Sequence, residues 1–237
     1  VTGTLRVSEV FGPTLQGEGP STGTPAVFVR LWGCNLDCQW CDTPYTWDTT
    51  GKLGVVYERD DESYQVTPEA LVASLPYDVP LVVVSGGEPL VQATQLERLV
   101  LLLLDENPER RIEIETNGTR PPFIDDARVG YNVSPKLEHA GTTKTSINVA
   151  VLSMFAALHN SQVGMKFVVA TPDDVDEVDR IVAAAQIPAR QVWIMPEGRD
   201  ADTLLRRSEQ LADSVIVRNY NLTTRLHVLL WGDERGV

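Results

Sequence analysis

A chain of 237 residues with 43% hydrophobic content can bury a sizeable core, whereas its net charge of −13 offers no basic face to a phosphate backbone. This argues against a nucleic acid and for a small-molecule substrate. The longest apolar run, residues 99–104, falls well short of the ~20 residues that cross a bilayer, so no membrane partner is expected.

The first predicted element is a short strand over residues 6–11, followed by a loop over residues 12–20 that holds three glycines and two prolines. On that loop Gln16 offers an amide and Glu18 a carboxylate, a pair able to hydrogen-bond the edge of a nitrogen-rich heterocycle, although an ordinary surface turn has the same composition. Residues 27–32 are mostly apolar, as in a strand buried on both faces, and they deliver Arg30 next to the segment that follows.

In that segment, Cys34-Asn35-Leu36-Asp37-Cys38-Gln39-Trp40-Cys41, lie all three cysteines of the chain. Thiolates so gathered suit a soft metal centre. A structural zinc site would want a fourth Cys or His, but no further Cys exists and His139, His159 and His227 are scattered without ligand spacing. A disulfide would strand one thiol and need an oxidising compartment, and no charged segment followed by an apolar run opens the sequence. Three thiolates are one short of the set that closes a 4Fe–4S cluster, which would leave one iron open.

Residues 44–66 form a polar span with an acidic run at Asp60-Asp61-Glu62, read as a solvated face with no core element. From Thr67 helices and strands alternate. Thr67-Pro68-Glu69 caps a helix carrying Leu71, Val72 and Leu75 inward. Strands over residues 81–84, 112–116, 130–133, 165–169 and 192–195 are separated by a helical pattern that carries Leu96, Leu99, Val100 and Leu103 and stops near Asn107-Pro108, and by helical patterns over residues 147–158 and 173–185, the last capped by Asp. A final helix is expected over residues 204–211. The alternation argues for an α/β fold with a parallel sheet of about six strands. Six are too few for a closed eight-stranded barrel, so a partial, open TIM-type barrel is expected, with its chemistry at the carboxyl ends of the strands. The whole of residues 1–237 reads as one domain.

The C-x₃-C-x₂-C spacing, with Trp40 before the third cysteine, resembles the signature of radical S-adenosylmethionine (radical SAM) enzymes. Ser85-Gly86-Gly87-Glu88-Pro89 at a strand end resembles the element of that superfamily that meets the SAM amino group. The resemblance implies a radical SAM core, a 4Fe–4S cluster on Cys34, Cys38 and Cys41, and SAM as the source of a 5′-deoxyadenosyl radical. Leu15-Gln16-Gly17-Glu18-Gly19, Arg30, Cys41-Asp42-Thr43, Glu115-Thr116-Asn117-Gly118-Thr119 and Ser134-Pro135-Lys136 narrow it: the chain is similar to the 7-carboxy-7-deazaguanine synthases of 7-deazapurine (queuosine) biosynthesis.

That likeness implies a lyase converting 6-carboxy-5,6,7,8-tetrahydropterin to 7-carboxy-7-deazaguanine and ammonia, with SAM used catalytically, Mg²⁺ required and a cytoplasmic homodimer reduced by a flavodoxin or ferredoxin. It places Leu15, Gln16, Gly17, Glu18, Arg30, Ser85 and His227 at the substrate and Thr43 at Mg²⁺. Gly86, Gly87, Glu88, Glu115, Ser134, Pro135, Lys136, Met195, Pro196, Glu197 and Gly198 would line SAM. Residues 44–66 would be a polar insertion and residues 218–237 a tail closing over the substrate. Without the likeness Glu115 is equally a satisfied strand-end carboxylate, and His227 a packed core residue. The rival within the superfamily is an activase that generates a glycyl radical on a partner protein.

Overall fold

A computed structural model describes residues 3–75 and 79–237. Among the described residues one sheet runs through nine strands in the order β3-β1-β2-β4-β5-β6-β7-β8-β9, numbered along the chain. The strands are β1 (Leu5–Leu15), β2 (Pro25–Leu31), β3 (Tyr64–Val66), β4 (Leu81–Gly86), β5 (Arg111–Thr116), β6 (Val129–Val133), β7 (Gln162–Val169), β8 (Val192–Pro196) and β9 (Asn221–Leu222). From β2 to β9 every neighbour pair is parallel, while β1 is antiparallel to both β2 and β3. The sheet ends at β3 and β9 and is not closed, so the six expected parallel strands stand in an open α/β sheet, extended by the two-residue β9.

The helices that cross between the strands are α1 (Pro68–Ser74), α2 (Ala93–Glu106), α3 (Val149–Ala156), α4 (Asp174–Ala185) and α5 (Ala201–Arg218), with α6 (Leu226–Trp231) after β9. Their apolar stripes meet the sheet in one continuous core that runs from Leu5 to Val215 and includes Leu99, Leu103, Ile112, Ile114, Phe155 and Phe167. Each fully buried side chain of this kind contributes about 1.5–3 kcal/mol. Among the described residues no helix is long and apolar enough to cross a membrane.

Four expectations need correction. Residues 12–15 are not loop but the end of β1, because Gly12 at φ +123° accommodates a register shift between Phe11 and Thr14 and the strand then resumes. The span 44–66 is not wholly solvated: Tyr45, Thr46 and Asp48 are buried, and β3 adds an edge strand, although Asp60 and Asp61 are exposed as expected. Asp173 makes no side-chain cap for α4; the carboxylate of Asp174 instead accepts from the Ala170 and Thr171 amides. The last helix expected at 204–211 is the middle of the longer α5, capped by Asp200 on the Thr203 amide, and α6 follows it.

Candidate active site

The carboxyl ends of the parallel strands surround a cavity of about 300 Å³. Its first wall is the loop after β2. All three thiols line it, and none is in a disulfide. Burial pushes the Cys34 thiol up to about 12 and raises Cys38 and Cys41 as well. Three contacts already point at sulfur: the Leu36 amide donates to Cys34 Sγ (3.4 Å), the Trp47 indole to Cys41 Sγ (3.3 Å), and the Thr43 hydroxyl lies 3.7 Å from Cys41 Sγ.

The loop is held from below by short polar side chains. Asn35 accepts from Asn117 Nδ2 (3.0 Å) and donates to Thr119 Oγ1 (2.8 Å), and Asp37 takes Lys52 and the Thr142 and Thr143 hydroxyls. Trp40 stacks on His139 at 5.7 Å on one side, and Lys136 Nζ sits 5.5 Å from its ring centroid. Gly86 and Gly87 are required where they stand. A Cβ on Gly86, at φ +142°, would fall 2.1 Å from the Leu31 carbonyl oxygen, and one on Gly87 2.4 Å from that of Gly33 and 2.9 Å from Cys34 Cβ. Glu88 turns inward, fully buried, and accepts from the Leu90 amide, the Thr116 hydroxyl and the Asn117 amide, so it ties the end of β4 to the end of β5.

The opposite wall is built from charge. Glu18 is clamped by Lys166 on one oxygen and by Arg225 Nε (2.9 Å) on the other. Burial would raise its pKa, but the two cations overcome burial and hold the carboxyl well below the usual range. The same Arg225 donates to the Gly198 carbonyl (3.0 Å) and to Asp42 Oδ2 (2.7 Å). Gln16 Nε2 bridges Glu113 and Glu115, and Ser85 Oγ donates to Glu115 Oε2 (2.6 Å). Burial lifts Glu113 to about 7. The His227 ring lies against Gly17, where a Cβ would be 2.0 Å from Nδ1, and burial lowers its pKa so that the neutral imidazole is favoured. Arg30 gives Nε to Glu9 (2.7 Å) and carries its guanidinium over the Phe11 ring at 5.3 Å.

Most residues anticipated from sequence meet in this one cavity: Leu15, Gln16, Gly17, Glu18, Arg30, the three cysteines, Thr43, Ser85, Gly86, Gly87, Glu115, Ser134, Lys136, Met195, Glu197, Gly198 and His227. Glu88, Pro135 and Pro196 do not line it. Glu115, anticipated at SAM, is bonded to Ser85 and Gln16, both anticipated at the substrate. Sequence reasoning missed Tyr45 and Lys166, and within the expected tail 218–237 it singled out neither Arg225 nor residues 233–237, all of which line the cavity. Lys166 carried a signal, since a lone cation inside the apolar run 165–169 needs a buried partner. Arg235 folds its guanidinium over the Tyr45 ring (3.7 Å) and pairs with Glu9 and Glu62, which holds residues 233–237 in the cavity lining.

Among the described residues no three His, Cys, Asp or Glu side chains converge on a point that would hold a single metal ion. A cuboidal cluster asks for something else, three thiolates spread over three separate irons, and three thiols lining one wall with amide and indole donors at their sulfurs fit that demand.

Comparison with known proteins gives a consistent picture. The pattern of the radical SAM superfamily matches residues 32–185. Over 235 residues the chain is 38% identical to the 7-carboxy-7-deazaguanine synthase of Pyrobaculum aerophilum, covering 98% of this chain and 97% of that protein. It is 40% identical to the enzyme of that name from Hyperthermus butylicus, covering 95% and 92%. The crystal structure of QueE from Escherichia coli superposes with a TM-score of 0.69 at 27% identity, covering 94% of this chain and 95% of that one.

Proposed function

Because the chain belongs to the radical SAM superfamily and, within it, to the 7-carboxy-7-deazaguanine synthases, we propose that this cavity turns 6-carboxy-5,6,7,8-tetrahydropterin into 7-carboxy-7-deazaguanine and ammonia. The observation that carries the reading is that the thiols of Cys34, Cys38 and Cys41 share one small cavity with Arg30, Gln16, Glu18 and His227. A glycyl-radical activase would need room for a protein loop, whereas here His227 lies against Gly17 and residues 233–237 line the cavity.

In this reading Cys34, Cys38 and Cys41 hold the cluster, and Gly86, Gly87, Ser134, Lys136 and Met195 line SAM. When bound, the two supply a radical that starts the rearrangement by removing hydrogen from the substrate. The chain itself does the holding. Arg30 takes the pterin carboxylate with its fork, oriented by Glu9. Glu18 keeps its charge against burial and, with lone pairs beyond those used by Lys166 and Arg225, accepts from the pterin edge. Neutral His227 faces the same edge across Gly17. Thr43 would supply one hydroxyl oxygen to Mg²⁺, and the ion would help hold the substrate carboxylate. Conversion of C₇H₉N₅O₃ to C₇H₆N₄O₃ and NH₃ is redox-neutral, so SAM is not needed as an oxidant and is returned after each cycle.

A homodimer is supported by the apolar side chains that Ile216, Val217, Leu222, Leu230 and Trp231 expose on the C-terminal elements. The free thiols fit a reducing cytoplasm with a flavodoxin or ferredoxin as donor. The test is anaerobic reconstitution with iron and sulfide. SAM should then change the spectrum of the brown protein, and the pterin should yield the deazaguanine. A colourless protein or an unaltered pterin would reject the reading.

A further inference from the structure

Arg225 lies outside every motif that points to function, yet its fork reaches three separate parts of the site. Nε donates to Glu18 on the loop after β1 (2.9 Å), Nη1 to the carbonyl of Gly198 in the turn after β8 (3.0 Å), and Nη2 to Asp42, next to Cys41 (2.7 Å). On the proposed function these are the substrate loop, the SAM turn and the cluster loop. The chain around Arg225 is fastened to the same substrate loop: Leu226 N donates to the Gly17 carbonyl (2.8 Å), Thr223 Oγ1 accepts from Gly19 N (3.2 Å), and His227 packs on Gly17.

We propose that Arg225 is a positioning residue that sets the substrate loop, the SAM turn and the cluster loop at one fixed mutual distance, and so couples SAM cleavage to substrate turnover. The inference rests on the function proposed above. Its physical basis is a contrast in costs. Taking a guanidinium almost wholly out of water costs several kcal/mol, and an apolar side chain would hold α6 down at least as well. What an apolar side chain cannot do is span three acceptors on three elements, which the rigid planar fork does.

Each wall has its own support without Arg225. Glu18 keeps Lys166, the cluster loop keeps Asn117 and the clamp on Asp37, and Asp42, which is partly exposed, can turn to water. Removing the fork therefore leaves the walls folded and frees only their separation. Hydrogen transfer demands reacting atoms about 3–3.5 Å apart, and a misplacement of about 1 Å can cost on the order of 100-fold. Cluster assembly and SAM binding need no such match between walls.

The test compares wild type, Arg225→Gln, Arg225→Lys and Asp42→Asn as anaerobically reconstituted holoenzymes. Four quantities are read: iron per chain, SAM affinity from the spectral change of the cluster, kcat and KM for the pterin, and 5′-deoxyadenosine released per product. Arg225→Gln should keep its iron and bind SAM within about threefold of wild type, while kcat falls about 100-fold and 5′-deoxyadenosine per product rises at least about tenfold. Arg225→Lys, a point charge that reaches one acceptor, should stay uncoupled. Asp42→Asn, which loses one arm of the three, should uncouple by a smaller factor. Iron, SAM affinity and kcat falling together in Arg225→Gln would mean a role in folding alone and overturn the proposal. So would wild-type coupling in Arg225→Lys, or in both Arg225→Gln and Asp42→Asn. A wild-type enzyme that makes no deazaguanine would instead reject the functional reading beneath it.

Discussion

The two walls of the cavity are held by different forces. The cluster wall is a backbone construction: a Cβ at Gly86 or Gly87 would fall within 3 Å of a carbonyl oxygen, the Glu88 amide bonds the Gly33 carbonyl at 2.8 Å, and Asn35, Asn117 and Thr119 lace the loop to β5. The substrate wall is a charge construction: Glu18 with Lys166 and Arg225, and Glu9 with Arg30, Tyr45 and Arg235. The first wall has to present three sulfurs to a rigid cluster, and sterics suit that task. On the proposed function the second presents opposite charges to a polar heterocycle without letting them collapse onto one another, which requires each to be held by a partner.

The comparison breaks first at the sulfurs. Replacing Cys34, Cys38 or Cys41 by Ala leaves two thiolates, and iron content with SAM cleavage should fall to background; full iron in any of these variants would remove the cluster from this wall. The next effect belongs to the charged wall. Glu18→Gln leaves Lys166 buried without its anion while Arg225 keeps Asp42, and should destabilise the fold by about 3–5 kcal/mol. Denaturant unfolding reads this, and a loss below about 1 kcal/mol would mean the pair is not buried as a pair.

The motif-bearing wall was legible in the sequence because its partners are close along the chain or carried on recognisable strand ends: the three cysteines, the Gly86-Gly87 pair and Asn117 each announce themselves. The parallel order was legible too, because each strand is an apolar run and each helix an apolar stripe. Of the charged wall Glu18 and Arg30 were legible, but the partners that hold them were not. Lys166 meets Glu18 across 148 residues, Asp42 meets Arg225 across 183, and Arg235 meets Glu9 across 226. No local spacing encodes such pairs. Nor does it encode β3, whose three residues become a strand only because β1 offers them an edge.

Smaller effects sharpen the contrast. Thr43 lies in the cavity lining, its hydroxyl 3.7 Å from Cys41 Sγ. Thr43→Ala should keep its cluster and lose most of the Mg²⁺ response of turnover, and an unchanged response would move the ion elsewhere. The smallest effect is on pH. Burial lifts Glu113 from its ordinary 4.5 to about 7, so between these values the folded chain keeps a proton that the unfolded chain has released. Stability should therefore fall as pH rises from about 4.5 to 7, and Glu113→Gln, which still accepts from Gln16, should flatten that fall by an amount on the order of 1–3 kcal/mol. Parallel pH curves for the two proteins, read by urea unfolding at pH 5 and pH 8, would mean Glu113 is ionised throughout.

The claim that both walls serve one redox-neutral rearrangement is tested most directly by counting molecules in a single reaction of the reconstituted enzyme with the pterin, SAM and a reductant. The account predicts one ammonia per 7-carboxy-7-deazaguanine and many of each for every SAM lost. One 5′-deoxyadenosine and one methionine accumulating per product would contradict it.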